Sequence, residues 1–390
     1  MSHQQNCPVC GSDSITPFLT RDQVPVNQNL VMESQESARN IRRGTLALGV
    51  CESCGFVFNM AFDLSKLSYD AHYDNTQTYS PFFNDYVSGL IRHLVYDKNV
   101  QNAQIVEVGC GKGLFLRALV EFEGAKNSGY GFDTSYVGPE VDLDGRLHFE
   151  KRFYTADCTD IPADVIVCRH VIEHIPDPVE FLGIIKQALV NSPEARIFFE
   201  TPTVEWILRN RVIWDFFYEH CSYFTAESLT TAFEAAGFQV ESVEHIFGRQ
   251  YLWLEATIPM EKPVVSKKPG AIPQLAQEFA TSERDRTSQW AAKLQTLTTQ
   301  GKVALWGAGA KGVTFANLLD PDCQQIACVV DLNPQKQGHF LPGTGHPIVS
   351  YQAMAEYGIR TALMLNPNYR EESLKLLRDV HLAIDLVTLD

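Results

Sequence analysis

The sequence predicts an α/β protein with a doubly wound seven-stranded sheet, a metal-binding module before the sheet and a Rossmann-like domain after it. Three observations lead to this prediction: two C-x-x-C pairs near the N-terminus, a strand that runs into glycines at residues 105–113, and a second such strand at residues 302–312. A chain of 390 residues is long enough for two or three domains. We expect segments at residues 1–62, 63–258, 259–300 and 301–390, the third being a linker and a helix.

The composition disfavours several classes of partner. A net charge of −15 disfavours nucleic acid and anionic membranes as main partners. No apolar run approaches the roughly 18 residues of a membrane span, and the first six residues lack the apolar core of a signal peptide. Ten cysteines, several of them inside predicted strands, suit a reducing compartment better than a disulfide framework. We therefore expect a cytoplasmic protein with a small-molecule partner.

The first module is predicted to hold zinc. Cys7 and Cys10 form one C-x-x-C pair, Cys51 and Cys54 form the other, and a glycine follows each pair. Four thiolates in two such pairs suit tetrahedral Zn²⁺. A redox-active dithiol is the alternative, although one redox site needs only one pair. With four protein ligands no position stays open, so we expect the metal to stabilise a small lobe and not to take part in chemistry.

Aromatic residues are dense between this module and the central sheet. Tyr69, His72, Tyr73 and Tyr79 precede a helix predicted over residues 81–96, with Ser80 as its N-cap. Their density suggests a lid over a binding site, and aromatic packing beneath the sheet is the alternative. Tyr79 is the candidate hydrogen-bond donor of the active site.

Residues 105–113 form the predicted centre of the sheet. An apolar strand ends on three alternating glycines, and a helix-like pattern follows at residues 114–120. Glycines let a ligand approach bare backbone, and the free N–H groups at the helix start favour an anionic group. The spacing resembles the first motif of class I S-adenosylmethionine-dependent methyltransferases, whereas an ordinary glycine-rich loop of another nucleotide-binding sheet is the alternative. The candidate cofactor residues are Glu107, Gly109, Cys110, Gly111 and Gly113.

The next strand ends supply further candidates. A strand over residues 129–133 ends at Asp133, whose carboxylate can accept hydrogen bonds from two ribose hydroxyls, with Phe132 and Thr134 beside it. By the resemblance, Asp157 and Cys158 lie where the family contacts the adenine ring.

The fourth strand, over residues 164–168, leads into a histidine-rich run. Residues 169–174 are predicted to open a helix, with Arg169 and His170 lining the cofactor pocket. Glu173 and His174, by contrast, are predicted to be structural.

An aromatic segment at residues 206–225 carries the candidate base. Glu219 and His220 lie among aromatic side chains, where a histidine can be partly desolvated and neutral, and a neighbouring carboxylate can tune its pKa. Those properties suit a general base near neutral pH. The alternative is a buried histidine that only bonds to the backbone. Residues 238–244 and 250–256 then complete the sheet with an antiparallel end.

A second nucleotide-type pattern follows the linker. Gly307, Gly309 and Gly312 form a G-x-G-x-x-G after a strand, and Asp331 ends a second strand about 20 residues later. Alone, this pattern indicates an NAD site. Only about 90 residues remain, however, which are too few for a complete dinucleotide-binding domain.

In this order the parts resemble, over nearly the whole chain, the zinc-containing sugar C-methyltransferases. The resemblance implies S-adenosylmethionine and structural zinc as cofactors and a nucleotide-linked keto-deoxysugar as substrate. It also implies that His220, of the Glu219–His220 pair, is the base, and that the terminal domain contributes to the sugar-nucleotide site. Phe217 departs from the pattern, where those enzymes have tyrosine, so the substrate is less constrained than the reaction type. Two alternatives stay open: an O- or N-methyltransferase of another metabolite, and an NAD-binding protein.

Overall fold

Three β-sheets organise the part of the chain that the computed structural model describes, which is residues 6–67, 74 and 76–389. Tyr69, His72 and Tyr73 of the predicted lid lie outside these residues. None of the described helices combines the length and the apolar character that a membrane crossing requires.

The first sheet has four antiparallel strands and contains the two C-x-x-C turns. Its order is β1-β2-β3-β10, so the last strand comes from the aromatic segment far along the chain. A short helix follows the first strand and begins with a capping box at Ser34. The elements are β1 (Ile15–Pro25), α1 (Gln35–Arg39), β2 (Arg43–Cys51), β3 (Val57–Asn59) and β10 (Ser222–Tyr223).

The central sheet has the order β11-β12-β9-β8-β4-β5-β7-β6. All neighbours pair in parallel except β12, which is antiparallel to both β9 and β11, and β6, which is antiparallel to β7. The elements are α2 (Pro81–Arg92), β4 (Gln104–Val108), α3 (Leu114–Glu121), β5 (Ser128–Phe132), β6 (Val141–Asp142), β7 (Leu147–Glu150), β8 (Val165–Arg169), α4 (Pro178–Ala188), β9 (Arg196–Pro202), α5 (Val204–Arg209), α6 (Ala226–Ala236), β11 (Gln239–Ile246) and β12 (Tyr251–Thr257).

Two sequence-based expectations for this sheet were wrong. The sheet has eight strands and not seven, because the two-residue β6 adds an edge strand. The run at residues 169–174 does not open a helix. His170 adopts a left-handed conformation with φ of 56°, a single 3₁₀ turn covers Ile172–His174, and α4 begins only at Pro178. Proline suits the first helical position, so the helix begins there.

The third sheet is parallel throughout, in the order β15-β14-β13-β16-β17. A helix of 29 residues leads into it, inside the segment 259–300 that was predicted to be a linker and a helix. The elements are α7 (Ile272–Gln300), β13 (Lys302–Trp306), α8 (Ala310–Leu319), β14 (Ile326–Val330), β15 (Ile348–Val349), α9 (Met354–Tyr357), β16 (Ile359–Met364), α10 (Arg370–Asp379) and β17 (Asp385–Thr388).

The aromatic segment at residues 206–225 packs against the first sheet and against two helices of the C-terminal part. Trp214 packs edge-on against Trp290 of α7 and Phe315 of α8, with ring centroids 5.8 and 5.6 Å away. Phe216 packs against Phe18 of β1, with ring centroids 6.1 Å apart. Buried aromatic pairs of this kind add about 0.5–1.5 kcal/mol each beyond their area burial. The segment that carries His220 is therefore fixed from three sides.

Candidate active site

The glycine loop after β4 leaves open space beside bare backbone. Gly109 has a φ of 75°, and a Cβ built there would lie 2.2 Å from Val171 Cγ2, so glycine is required. Gly111 has a φ of 53°, and a Cβ there would meet no atom within 4 Å. Its N–H donates to Asp133 Oδ2 over 2.8 Å. The loop thus combines a tight turn with an unfilled approach for a ligand.

The residues predicted to hold a cofactor lie along one edge of the sheet. Asp133 follows β5, and its Oδ1 accepts hydrogen bonds from the backbone and hydroxyl of Ser135 at 2.7 and 2.6 Å, which fixes the carboxylate. Thr134 beside it is half-buried, and Phe132 is buried in the core. Asp157 is exposed and accepts a hydrogen bond from Thr155, whereas Cys158 and Cys110 are buried.

Glu107 is a buried carboxyl group beneath the glycine loop. It is 3% exposed, and its Oε2 accepts a hydrogen bond from the Leu116 backbone over 3.1 Å. Burial raises its pKa to about 8, against the opposing effect of Arg169. At neutral pH the group is therefore largely protonated, and a cationic ligand would favour its ionised form.

A buried network connects the end of β8 to the neighbouring strand. Glu200 accepts hydrogen bonds from Arg169 Nε at 2.6 Å and from Tyr86 Oη at 2.6 Å, and His170 Nε2 lies 3.1 Å away. Burial alone would lower the pKa of His170, but Glu200 and Glu173 raise it to about 9. His170 is therefore a fixed imidazolium at neutral pH. It is not available as a base.

A cavity of about 330 Å³ lies between the central sheet and the C-terminal sheet. Four of the predicted site residues line it, together with the predicted structural pair Glu173 and His174. The glycine loop does not line it, but Val171 lies against Gly109 of that loop and directly follows the cavity residue His170. The four predicted residues are Tyr79, His170, Glu219 and His220.

His220 presents its imidazole to this cavity. Its ring lies 4.8 Å from that of His174 and 4.3 Å from that of Phe217, measured between centroids. Its ring nitrogens form no hydrogen bond to any residue in the described part of the chain. Burial, and then the charges of His174, His170 and Lys311, lower its pKa well below the usual value. The imidazole is therefore neutral at physiological pH, with a lone pair available.

Glu219 has a role different from the predicted tuning of His220. It is buried, and its Oε1 accepts a hydrogen bond from the Gln28 backbone over 2.6 Å, with Asn27 Nδ2 at 3.5 Å. The carboxylate therefore anchors the segment after β1 against the aromatic segment. The sequence had identified burial as one influence on the pKa of His220. It had not identified the influence of His174, His170 and Lys311.

The C-terminal domain contributes two lysines that sequence reasoning missed. Lys311, inside the G-x-G-x-x-G, reaches Asp215 Oδ2 at 2.8 Å and Gln250 Oε1 at 3.3 Å. Lys336 is 6% exposed, and its Nζ donates to Asn29 Oδ1 and Ala308 O at 3.3 and 3.4 Å. Lys336 forms no ion pair with any carboxylate that the structure describes. The sequence held one signal for Lys311, because a lysine inside the G-x-G-x-x-G is not explained by the role of the glycines.

The four N-terminal cysteines form a compact cluster that suits a metal. Cys7 and Cys54 have Sγ atoms 3.7 Å apart, and those of Cys10 and Cys51 are 3.6 Å apart. Tetrahedral Zn–S bonds of about 2.3 Å place sulfurs about 3.8 Å apart, which is close to these spacings. Within the described residues, the donor set and its geometry thus fit a zinc ion.

Comparison with protein families gives two matches that agree with this geometry. Residues 83–243 match a family described as a methyltransferase domain, and residues 271–383 match one described as a C-methyltransferase C-terminal domain. Two separate parts of the chain therefore match methyltransferase families. The first match includes the glycine loop, the buried network and His220, and the second includes both lysines.

Individual relatives are partial matches. The C-methyltransferase NovU of Streptomyces niveus is 30% identical over 226 residues, covering 54% of this chain and 53% of that protein. A ubiquinone biosynthesis O-methyltransferase of Yersinia enterocolitica is 29% identical over 128 residues, 29% of this chain and 48% of that protein. The chain spans about half the length of these curated relatives. The magnesium protoporphyrin IX methyltransferase of Synechocystis has 20% identity and a TM-score of 0.35, covering 46% of this chain and 84% of that one.

Proposed function

We propose that this protein is an S-adenosylmethionine-dependent C-methyltransferase that methylates the carbon beside a ketone, in a nucleotide-linked keto-deoxysugar. One observation supports the proposal above the others. A neutral histidine faces the cavity between the methyltransferase domain and the C-methyltransferase C-terminal domain. A carbon acid next to a ketone needs such a base, whereas most alcohols and amines present a more acidic or already nucleophilic atom.

The cofactor would lie at the glycine loop. Gly111 offers the open approach, Asp133 offers a fixed carboxylate, and Glu107 offers a buried carboxyl group that a cation can ionise. The remaining candidates along this edge are Gly109, Cys110, Gly113, Phe132, Thr134, Asp157, Cys158, Arg169 and His170. When bound, S-adenosylmethionine supplies an electrophilic methyl group on a sulfonium.

The cavity residues would form the nucleophile. His220 removes the proton beside the ketone, and the electron pair of that C–H bond becomes an enolate. Tyr79 is 43% exposed at the edge of the cavity, where its hydroxyl can donate to the enolate oxygen. His174 packs edge-on against the base and holds its ring in place. Zinc at Cys7, Cys10, Cys51 and Cys54 would be structural.

The C-terminal domain would bind the nucleotide part of the substrate. Lys336 brings a buried positive charge without a carboxylate partner among the described residues, beside the glycines at the start of α8. A helix N-terminus and a buried ammonium together favour a phosphate. Since this cavity wall faces His220, a diphosphate there would leave the sugar within reach of the base.

Replacing His220 with asparagine tests the proposal. We expect methyl transfer to nucleotide-linked keto-deoxyhexoses to fall by a factor of about 10² to 10⁴. Binding of S-adenosylhomocysteine, measured by calorimetry, should stay close to that of the wild-type protein. His381→Asn is the matched control, because His381 is exposed, outside the cavity, and in a left-handed conformation that asparagine tolerates.

The product distinguishes the reaction classes. Mass spectrometry should find the new methyl group on carbon, and the hydrogen beside the ketone should exchange with solvent deuterium. Methyl transfer to oxygen or nitrogen without that exchange would instead support another methyltransferase class. Normal turnover by His220→Asn would eliminate this residue as the base.

A further inference from the structure

Lys311 carries positive charge from the C-terminal domain into the cavity that contains His220. It occupies the first turn of α8, and its Nζ crosses to the methyltransferase domain, 2.8 Å from Asp215 Oδ2. The same ammonium donates to Gln250 Oε1 over 3.3 Å and lies 4.9 Å from the ring centre of Trp206. All four residues line the cavity. Two contacts from the aromatic segment and one from the residue before β12 fix the position of this charge.

The ammonium still has a donor to offer. A lysine carries three N–H bonds. Within the described residues, hydrogen-bond acceptors lie within reach of only two of them, Asp215 and Gln250. The Lys311 side chain is 25% exposed, and the residue lines the cavity. One N–H is therefore available to an oxygen atom of a bound ligand.

We propose that Lys311 is a catalytic residue that holds the oxygen of the substrate enolate as His220 removes the neighbouring proton. This inference rests on the proposed function, which gives no role to Lys311. Tyr79 can give that oxygen a hydrogen bond from the exposed edge of the cavity but no positive charge. Lys311 gives both, from a partly desolvated position where charge acts more strongly.

The step balances with these two residues. His220 takes the proton, the C–H electron pair forms the carbon–carbon double bond, and the carbonyl π pair moves onto oxygen. The negative charge then lies on the oxygen, where a Lys311 N–H stays covalently intact and donates a hydrogen bond. The proton leaves His220 for solvent after methyl transfer. Lys311 is thus an electrostatic partner and not a proton carrier.

A weak base makes this partner necessary. Burial, and then the charges of His174, His170 and Lys311, lower the pKa of His220. The carboxylates that line the same cavity are Glu173, Asp215, Glu219, Asp331 and Glu372. A base with a lowered pKa removes a proton from carbon only when the resulting anion is stabilised. Lys311 therefore makes His220 a weaker base and also stabilises the enolate that His220 produces.

The test uses the wild-type protein and Lys311→Met, saturated with S-adenosylhomocysteine, and a nucleoside-diphosphate-linked 4-keto-6-deoxyhexose in deuterium oxide. Exchange of the hydrogens beside the ketone is followed by NMR. We expect exchange to fall by a factor of about 10² to 10³ in Lys311→Met. Lys311→Arg, which keeps the charge, should exchange these hydrogens at least tenfold faster than Lys311→Met.

The controls separate this role from a structural one. Lys293→Met removes a lysine that also packs over a tryptophan, 4.3 Å from the Trp290 ring centre but on the exposed face of α7, and should leave exchange unchanged. The His220 ring, assigned with His220→Asn, should titrate at a higher pKa in Lys311→Met. S-adenosylhomocysteine binding should not change.

The outcomes are distinguishable. Exchange in the wild-type protein that persists within threefold in Lys311→Met overturns the role of Lys311 and leaves the base intact. An unchanged pKa of His220 in that variant overturns it as well, because the charge would then lie too far away. No exchange by the wild-type protein with bound keto-sugar overturns the proposed function and this inference together.

Discussion

Among the cofactor candidates, Glu107 is a carboxyl group whose pKa is raised into the neutral range. Its carboxyl group is buried beneath the glycine loop, where desolvation raises its pKa to about 8, while Arg169 opposes and Asp133 adds to that shift. The group must lose its proton to pair with a cationic ligand, and a bound cation lowers its pKa. We therefore expect binding of S-adenosylmethionine to be linked to release of a proton from Glu107 below about pH 8.

This linkage predicts that affinity for S-adenosylmethionine rises with pH between about 6 and 8, by up to about tenfold per pH unit, and then levels off. Calorimetry in that range measures it, and Glu107→Gln should remove this part of the slope. The comparison with the variant corrects for titration of the ligand itself. Identical slopes in the two proteins would show that Glu107 does not sense the cofactor.

Single site residues differ in how far the sequence could predict them. The pattern Glu219-His220 among aromatics was sufficient to nominate His220, and the structure places that imidazole in the cavity. The pattern could not give the direction of the Glu219 side chain, which depends on Gln28, nearly 200 residues earlier in the chain. Lys311 was unrecognised for the same reason, because its partner Gln250 is 61 residues away in sequence. Partners from distant segments leave no local pattern.

At the scale of elements, the start of α2 depends on a carboxylate from another domain. Ser80 caps this helix by accepting from the Phe83 backbone at 3.1 Å, and its hydroxyl donates to Glu372 Oε2 at 2.7 Å. The Phe82 backbone donates to the same oxygen at 2.9 Å. Helix α10 therefore holds the first turn of α2, and with it Tyr79 at the edge of the cavity.

Replacing Glu372 with alanine should loosen this turn. We expect amide hydrogen exchange of residues 80–86 to increase about 5- to 30-fold, the equivalent of about 1–2 kcal/mol for a lost helix cap. Mass-spectrometric exchange measures it. Glu371→Ala is the control on the same helix, because Glu371 is 83% exposed and pairs only with neighbouring Arg370 among the described residues. Equal protection in the two variants would show that α2 caps itself.

The elements of the sheet were predictable where the pattern was local. Strand, glycine loop and helix at residues 105–120 follow from apolar periodicity and the glycines. The strand ends predicted at residues 133 and 168 lie within one residue of the observed ends, Phe132 and Arg169. The helix predicted to open at residues 169–174 is absent there, where a single 3₁₀ turn forms, and Pro178 was the local signal for the first helical position of α4. Strand β6 has only two residues, too few for a recognisable alternation.

At the scale of the whole molecule, the cysteine cluster adjoins the same sheet as the segment that carries the proposed base. Cys51 ends β2 and Cys54 precedes β3, whose Phe58 and Val57 pair with Ser222 and Tyr223 of β10. The Asn59 backbone also donates to Cys221 O at 2.9 Å, directly after His220. A metal that fixes the two C-x-x-C turns therefore fixes one border of the active site, although it is not part of the cavity.

Removal of that metal should reduce activity without any loss of catalytic groups. We expect chelation, or Cys54→Ser, to lower the melting temperature and to reduce enolate exchange at His220 about tenfold or more, since a displacement of about 1 Å can cost about 100-fold. Metal analysis, calorimetry of S-adenosylhomocysteine and the exchange assay measure the three effects. Cofactor affinity should change little, because the glycine loop belongs to the central sheet.

The control is Cys323→Ser, which replaces a half-buried cysteine of the C-terminal domain. Full exchange activity after verified loss of one metal ion per chain would show that β10 is held by its aromatic packing alone.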